Sequence, residues 1–181
     1  ANYDRNGPMH CHLAWHQALF ALSMGCYARV MELYEDAICP DVARTRTSMY
    51  DAASLLWRYQ IYGCAQDELP WSAVGELAAR MTAQPGMAFV DANAALALAA
   101  VGDEVAFCRL IDGLRALEAQ GHPTAGSVVL PLVQGIWAFG QGAYDAASKT
   151  FKFGGDFSCP MAGKRVKGRT VERWIDENSY V

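Results

Sequence analysis

The sequence predicts an all-α protein, a short right-handed solenoid of about four helix hairpins that ends in an irregular C-terminal tail. Apolar residues recur along the chain at three- and four-residue steps, the spacing of one helix face. Glycines close these apolar patterns at separations of 38, 39 and 40 residues, at Gly25, Gly63, Gly102 and Gly142. No stretch shows sustained alternation of apolar and polar residues, so we expect almost no sheet.

The first two hairpins are predicted from their apolar faces and their breaks. The first helix carries apolar residues at helical spacing, at Leu13, Ala14, Ala18, Ala21 and Leu22. Gly25 then provides the left-handed residue that commonly ends a helix, and Pro40 separates this hairpin from the next because proline does not continue a helix. These features predict helices over residues 9–24, 26–38, 47–62 and 70–82.

The last two hairpins follow the same rules. Ala94, Leu98 and Val101 share a face before Gly102, and Ile111 and Leu114 continue the helical spacing after it. Prolines again stand in the gaps on either side of the third hairpin. These features predict helices over residues 86–101, 103–119, 127–140 and 143–153.

The composition suits one compact domain and argues against nucleic acid and membranes as partners. The 181 residues are 52% hydrophobic and carry a net charge of −4, so we expect no nucleic acid to bind. The longest hydrophobic run, Ala94 to Val101, has eight residues, against roughly 20 for a membrane span, so no membrane partner is expected. Six irregularly spaced cysteines without a C-x-x-C pair favour buried thiols of a cytoplasmic protein over disulfides or a zinc ribbon.

The composition changes near the C-terminus. All four lysines lie in the last 33 residues, which carry seven basic and four acidic groups, whereas the preceding 148 residues use eight arginines and no lysine. We therefore predict a helical-repeat domain over residues 1–153 and a loop-rich basic tail over residues 154–181. The tail is expected to hold at most one short helix, with Trp174 and Ile175 as its anchors.

Small and aromatic residues carry a resemblance to a known repeat. In the first hairpin, small side chains at Ala18 and Ala21 are followed by Gly25, Tyr27 and Tyr34. This pattern resembles a tetratricopeptide repeat, in which small side chains let two helices approach closely and the tyrosines fill the space between neighbouring pairs. Similar residue types recur at Gly135, Ala138, Gly142, Tyr144, Ala147 and Phe151.

Four segments extend this resemblance to a family. They are Ala-Trp-His-Gln-Ala-Leu at 14–19, Asp-Ala-Ala-Ser-Leu-Leu-Trp-Arg at 51–58, Asp-Ala-Asn at 91–93 and Leu-Pro-Leu-Val-Gln at 130–134. In this order they resemble the C-terminal half of the tetratricopeptide repeat protein 38 family, over about residues 9 to 153. The resemblance implies a chain that begins inside a longer solenoid, and it supplies no reaction. Asn93 stands where the family pattern has a histidine, so no role of that histidine is carried over.

The densest group of metal-capable side chains lies at the start of the first predicted helix, at His10, Cys11, His12 and His16. His12 and His16 share a helix face at a spacing that suits a transition metal. No acidic residue falls between them as in a zincin helix, and histidines in the first turn of a terminal helix are commonly solvated. We therefore assign no metal site, and keep His10, His12 and His16 as the candidates for an alternative function, a metal- or small-ligand-binding protein, with a hydrolase included.

Other chemistry is poorly supported by the sequence. It has no G-x-S-x-G motif, phosphate loop or dinucleotide fingerprint, so we predict no catalytic residue and no cofactor. Asp51 and Arg58 lie seven residues apart on one face of an apolar helix. We expect these two side chains to form an internal ion pair that stabilises the repeat.

The repeat register predicts an apolar concave groove. An apolar stripe without lysine is unsuited to clamping an acidic peptide terminus, and it favours burial against a helix. The leading hypothesis is therefore a non-enzymatic scaffold that binds a protein partner or a second copy of itself, with Trp15, Leu19 and Leu132 as anchors. The predicted groove residues are His12, Trp15, Leu19, Leu96, Leu132 and Ile136, and the same register adds Leu22, Phe89, Ala92, Ala99, Val129 and Phe139.

Overall fold

A computed structural model of the chain describes residues 9–40, 45–62 and 68–151, together with the backbone of Phe157–Ser158 and Arg165–Val166. Within residues 9–151 the described segments form eight helices, so the all-α class is confirmed. The helices are α1 (His10–Ser23), α2 (Tyr27–Leu33), α3 (Arg46–Ile61), α4 (Trp71–Met81), α5 (Ala88–Val101), α6 (Glu104–Ala119), α7 (Leu130–Gly140) and α8 (Tyr144–Phe151).

Two π-helical turns modify the predicted boundaries. Tyr34–Ile38 extends α2, and Ala125–Val129 precedes α7. The first of these turns places Tyr34 in the core with 1% of its surface exposed, and its hydroxyl donates a hydrogen bond to the Pro70 carbonyl at 3.2 Å. Tyr34 therefore links the first helix pair to the start of α4, whereas Tyr27 remains 40% exposed.

Glycine turns join the two helices of a pair. Gly25, Gly102 and Gly142 have φ angles of 72°, 69° and 73°, which side chains with a Cβ adopt at a cost. At the end of α5, the Gly102 N–H donates to the Leu98 carbonyl, and the next residue, Asp103, caps α6 by accepting from the Ala106 N–H at 2.9 Å. The chain thus reverses over two residues. Gly63, predicted to make the equivalent turn, lies outside the described residues.

The helices pack in a regular order. The first helix of each pair contacts the first helix of the next, so that α1 lies against α3, α3 against α5 and α5 against α7. Each first helix also contacts its own second helix, and α4 contacts α5. The alanines Ala94, Ala95 and Ala97 in α5 are almost fully buried, and their small side chains allow helices to approach α5 closely.

The sequence predicts that its six cysteines are buried thiols, and the structure corrects this prediction for two of them. The four that lie in the described segments are not in disulfide bonds. Cys11 is buried and Cys39 is half-buried, but Cys26 and Cys108 are exposed. The prediction was wrong for these two because each lies on the outer side of a second helix or its turn, where helical periodicity does not require burial. Cys64 and Cys159 are outside the described residues.

The predicted tail is described in part only. Phe157–Ser158 pairs antiparallel with Arg165–Val166, with Phe157 opposite Val166. The other residues of the predicted basic tail, including Trp174 and Ile175, are outside the described part. Among the described helices, none combines the length and the apolar character needed to cross a membrane.

Candidate functional site

A cluster of polar and aromatic side chains lies between α1 and α3. On α1, His12, Trp15 and His16 occupy positions i, i+3 and i+4, which share one helix face. This face meets Asp51 and Ser54, which lie one turn apart on α3. We call this set of residues, together with Arg58, the α1–α3 polar cluster.

Asp51 is the buried centre of the cluster. Its side chain is 2% exposed, and its Oδ2 atom lies 3.1 Å from His12 Nδ1. Burial raises the pKa of the Asp51 carboxyl, while the hydrogen bond and the charge of His12 act in the opposite direction. When the Asp51 carboxyl is ionised it can only accept hydrogen bonds, and this contact then requires a proton on His12 Nδ1. The other ring nitrogen, Nε2, is then an acceptor in the neutral ring.

Cys11 approaches the same carboxylate from the neighbouring position of α1. Its Sγ atom lies 3.8 Å from Asp51 Oδ2, within reach of an S–H hydrogen bond. Burial, followed by the charge of Asp51 and this hydrogen bond, raises the pKa of the Cys11 thiol to about 12. Cys11 therefore remains a neutral donor to Asp51 and is not a nucleophile.

His16 completes a pair with His12. Its Nε2 atom lies 3.2 Å from His12 Nε2, and the two rings meet edge to face. The Trp15 ring lies beside both histidines. It is nearly parallel to the His12 ring, with the ring centroids 5.4 Å apart, and edge to face with the His16 ring, with the centroids 4.8 Å apart. The indole ring therefore restricts the orientation of both imidazoles.

Ser54 and Arg58 of α3 orient the Trp15 ring. The Trp15 indole N–H donates to the Ser54 hydroxyl at 2.9 Å, and the Ser54 hydroxyl in turn donates to the Asp51 backbone carbonyl at 3.2 Å. The Arg58 guanidinium lies 5.9 Å from the Trp15 ring centroid, within cation–π range. Trp15 is thus held from two sides by α3.

The predicted ion pair between Asp51 and Arg58 is wrong. Arg58 Nη1 donates to the Ser54 carbonyl at 3.0 Å, and Asp51 faces His12. The two side chains are separated because seven residues span about 10 Å along a helix, so Asp51 meets His12 while Arg58 lies about two turns further along α3, over the Trp15 ring.

The three candidate histidines do not form one group. His10 is two residues from His12, which places it about 200° away around the helix. His10 lines a cleft between α1 and α2 together with His16, Leu13 and Phe20. Within residues 9–40, 45–62 and 68–151, no group of three or more His, Cys, Asp or Glu side chains is arranged to hold a metal ion.

The predicted groove residues vary in burial. Trp15, Leu19 and Ile136 are half-buried and pack against the core, and Leu96 and Leu132 are also half-buried. Three members of the wider register, Leu22, Ala99 and Val129, were expected in the groove but are buried. They lie in the core because neighbouring helices cover the edges of the stripe. Phe139 is 41% exposed, and its ring meets that of Trp57 on α3 edge to face, with the ring centroids 5.3 Å apart.

Sequence reasoning missed Ser54 and the true partner of Asp51. One feature of the sequence could have identified both, because Ser54 lies 39 residues after Trp15 and Asp51 lies 39 residues after His12. This separation equals the repeat interval, so equivalent positions of successive first helices face each other.

Comparison of the chain with family models found no match, and comparison with solved structures found none. The case for a function therefore depends on the geometry of the described residues.

Proposed function

We propose that this protein is a non-enzymatic helical-repeat scaffold of the tetratricopeptide type, which binds a protein helix along its first helices. The serial contacts of α1, α3, α5 and α7 support a short solenoid, whose right-handed sense is carried over from the resemblance to the tetratricopeptide repeat. The 39-residue separation between facing side chains of α1 and α3 supports the same arrangement. In such a solenoid the first helices line one continuous surface.

The observation that carries the proposal is the partial exposure of apolar side chains on these helices. Leu96 of α5 and Leu132 of α7 are half-buried within the folded chain, and Phe89 is 60% exposed. Covering one such side chain fully contributes up to about 1.5–3 kcal/mol. A groove with this character suits the apolar face of a helix.

A second copy of the chain is the occupant that the structure supports best. The side of α1 that borders the cleft with α2 carries Leu13 and Phe20, two turns apart, with exposed fractions of 46% and 72%. Seven residues return to nearly the same helix face, so these side chains form an apolar ridge. Such a ridge has the form that a helix-binding groove accepts. We therefore expect α1 of one copy to dock in the groove of another.

The test is the solution mass of the full chain, measured by light scattering over a range of concentrations. We expect the mass of the wild type to rise with concentration. Leu132→Asp in the groove and Phe20→Asp on the ridge should each keep the protein monomeric, because each buries a charge in the contact. The matched control is Val105→Asp, since Val105 is 71% exposed on α6, away from both surfaces.

Equal masses for the three variants and the wild type at every concentration would contradict docking of a second copy. A scaffold that binds a different protein would instead form photo-crosslinks from a benzophenone side chain at position 96 and not at position 105. Circular dichroism of each variant shows whether its helices are retained. Failure of both measurements would overturn the scaffold proposal.

A further inference from the structure

The imidazoles of His12 and His16, in the α1–α3 polar cluster, lie close together, and binding of a helix in an apolar groove does not require this pairing. His12 Nε2 and His16 Nε2 face each other at 3.2 Å. The side chain of His12 is 31% exposed and His16 is exposed, so an ion from solvent can reach both nitrogens. We infer that His12 and His16 form a two-histidine site for a divalent transition-metal ion of the zinc class.

The distance between the two nitrogens fits this ion. Zinc binds histidine nitrogen at about 2.0–2.1 Å in tetrahedral geometry, which separates two such ligands by about 3.3–3.4 Å. The observed 3.2 Å is close to this separation. Histidines four residues apart on one helix also have the spacing of the metal-binding pair in zincin helices. The two nitrogens are therefore already at a chelating separation, and a bound ion would replace the hydrogen bond that now joins them, with release of the shared proton.

Asp51 prepares His12 for this role. A histidine that binds a metal through one nitrogen commonly donates its other N–H to a carboxylate. His12 has this arrangement, because Nδ1 faces the buried Asp51 at 3.1 Å and Nε2 faces His16. Asp51 thus favours the tautomer in which the Nε2 lone pair of His12 faces His16, and it acts as a positioning residue and not as a ligand.

The site has the features of an open centre. Within the described segments no third His, Cys, Asp or Glu side chain joins the pair. Two protein ligands leave two tetrahedral positions for water or for a donor group of another molecule. The ion class follows from the ligands, because imidazole nitrogen suits zinc, nickel and copper, whereas calcium and magnesium prefer oxygen.

The test is a calorimetric titration of the full chain, prepared without a histidine tag, with zinc ions. We expect one ion per chain. Removing an outer-shell carboxylate typically weakens metal binding about 10- to 100-fold, so Asp51→Asn should do so. Loss of a direct ligand in His16→Ala should cost at least as much. His10→Ala is the matched control, because it removes a histidine from the same helix but from another face, and it should leave the affinity within about twofold.

A second readout does not depend on affinity alone. Zinc should raise the melting temperature of the wild type and of His10→Ala, and should raise that of His16→Ala much less, because a ligand of the native state stabilises it. The inference is overturned if the wild type does not bind zinc, if His16→Ala binds it as tightly as the wild type, or if His10→Ala loses as much affinity as His16→Ala. His12 also belongs to the predicted groove, but His10 and His16 do not, and the groove is tested separately by the solution mass of Leu132→Asp, a substitution on α7.

Discussion

The indole N–H of Trp15 donates a hydrogen bond to the Ser54 hydroxyl at 2.9 Å, across 39 residues of sequence. The glycines of the sequence recur at 38, 39 and 40 residues, so the hydrogen bond joins equivalent positions of consecutive first helices. His12 and Asp51 are related in the same way. The contact between α1 and α3 therefore contains two pairs of side chains that are each separated by one such interval.

The thiols should differ strongly in reactivity. Cys26 and Cys108 are exposed, whereas Cys11 is buried and the pKa of its thiol is raised to about 12. At about pH 8 the thiolate fraction of Cys11 is on the order of one in ten thousand. We expect iodoacetamide to modify Cys26 and Cys108 in the native protein and to leave Cys11 unmodified, as measured by peptide mass spectrometry. Rapid labelling of Cys11 without denaturant would contradict its position beside Asp51.

Two leucines on opposite sides of α5 should differ in their effect on stability. Leu98 is fully buried, and replacing such a leucine with alanine costs about 2–5 kcal/mol because a cavity remains. Leu96 is half-buried, so Leu96→Ala should lower the free energy of unfolding by clearly less than Leu98→Ala. Urea denaturation of both variants measures the difference. Equal losses would show that Leu96 belongs to the core and not to the groove.

The stability of the protein should depend on the ionisation of Asp91. This side chain is 4% exposed at the start of α5, and its Oδ2 atom accepts the Gly86 N–H at 2.9 Å. Burial raises the pKa of the Asp91 carboxyl above its ordinary value of 3.8, while the Gly86 N–H and the charges of Arg46 and His122 act in the opposite direction. The native state therefore holds this proton more tightly than the unfolded state does.

The sign of the effect follows from this difference. As the pH falls from neutrality through the raised native pKa toward 3.8, the wild type should gain stability relative to Asp91→Asn, and it should lose that gain as the pH rises again. Urea denaturation of both proteins at neutral pH and near the lower limit measures the change. Asp36→Asn, at an exposed position, controls for the change in net charge. A difference between wild type and Asp91→Asn that is constant with pH would contradict the argument.

Local patterns in the sequence determined the secondary structure. Apolar steps of three and four residues located all eight described helices, because helical periodicity is set within a few turns. The left-handed conformations of Gly25, Gly102 and Gly142 were equally predictable, since each depends on a glycine at the end of an apolar face. The same reasoning placed His12 and His16 on one face of α1.

Tertiary packing decided which side chains meet. Asp51 pairs with His12 and not with Arg58 because α1 lies against that side of α3. Leu22, Ala99 and Val129 are buried and Cys26 and Cys108 are exposed, contrary to expectation, because burial depends on which neighbouring helix covers each position. Periodicity specifies a helix and its apolar face. The partner of that face is selected by contacts between residues about 39 positions apart. No pattern within a single helix encodes these contacts.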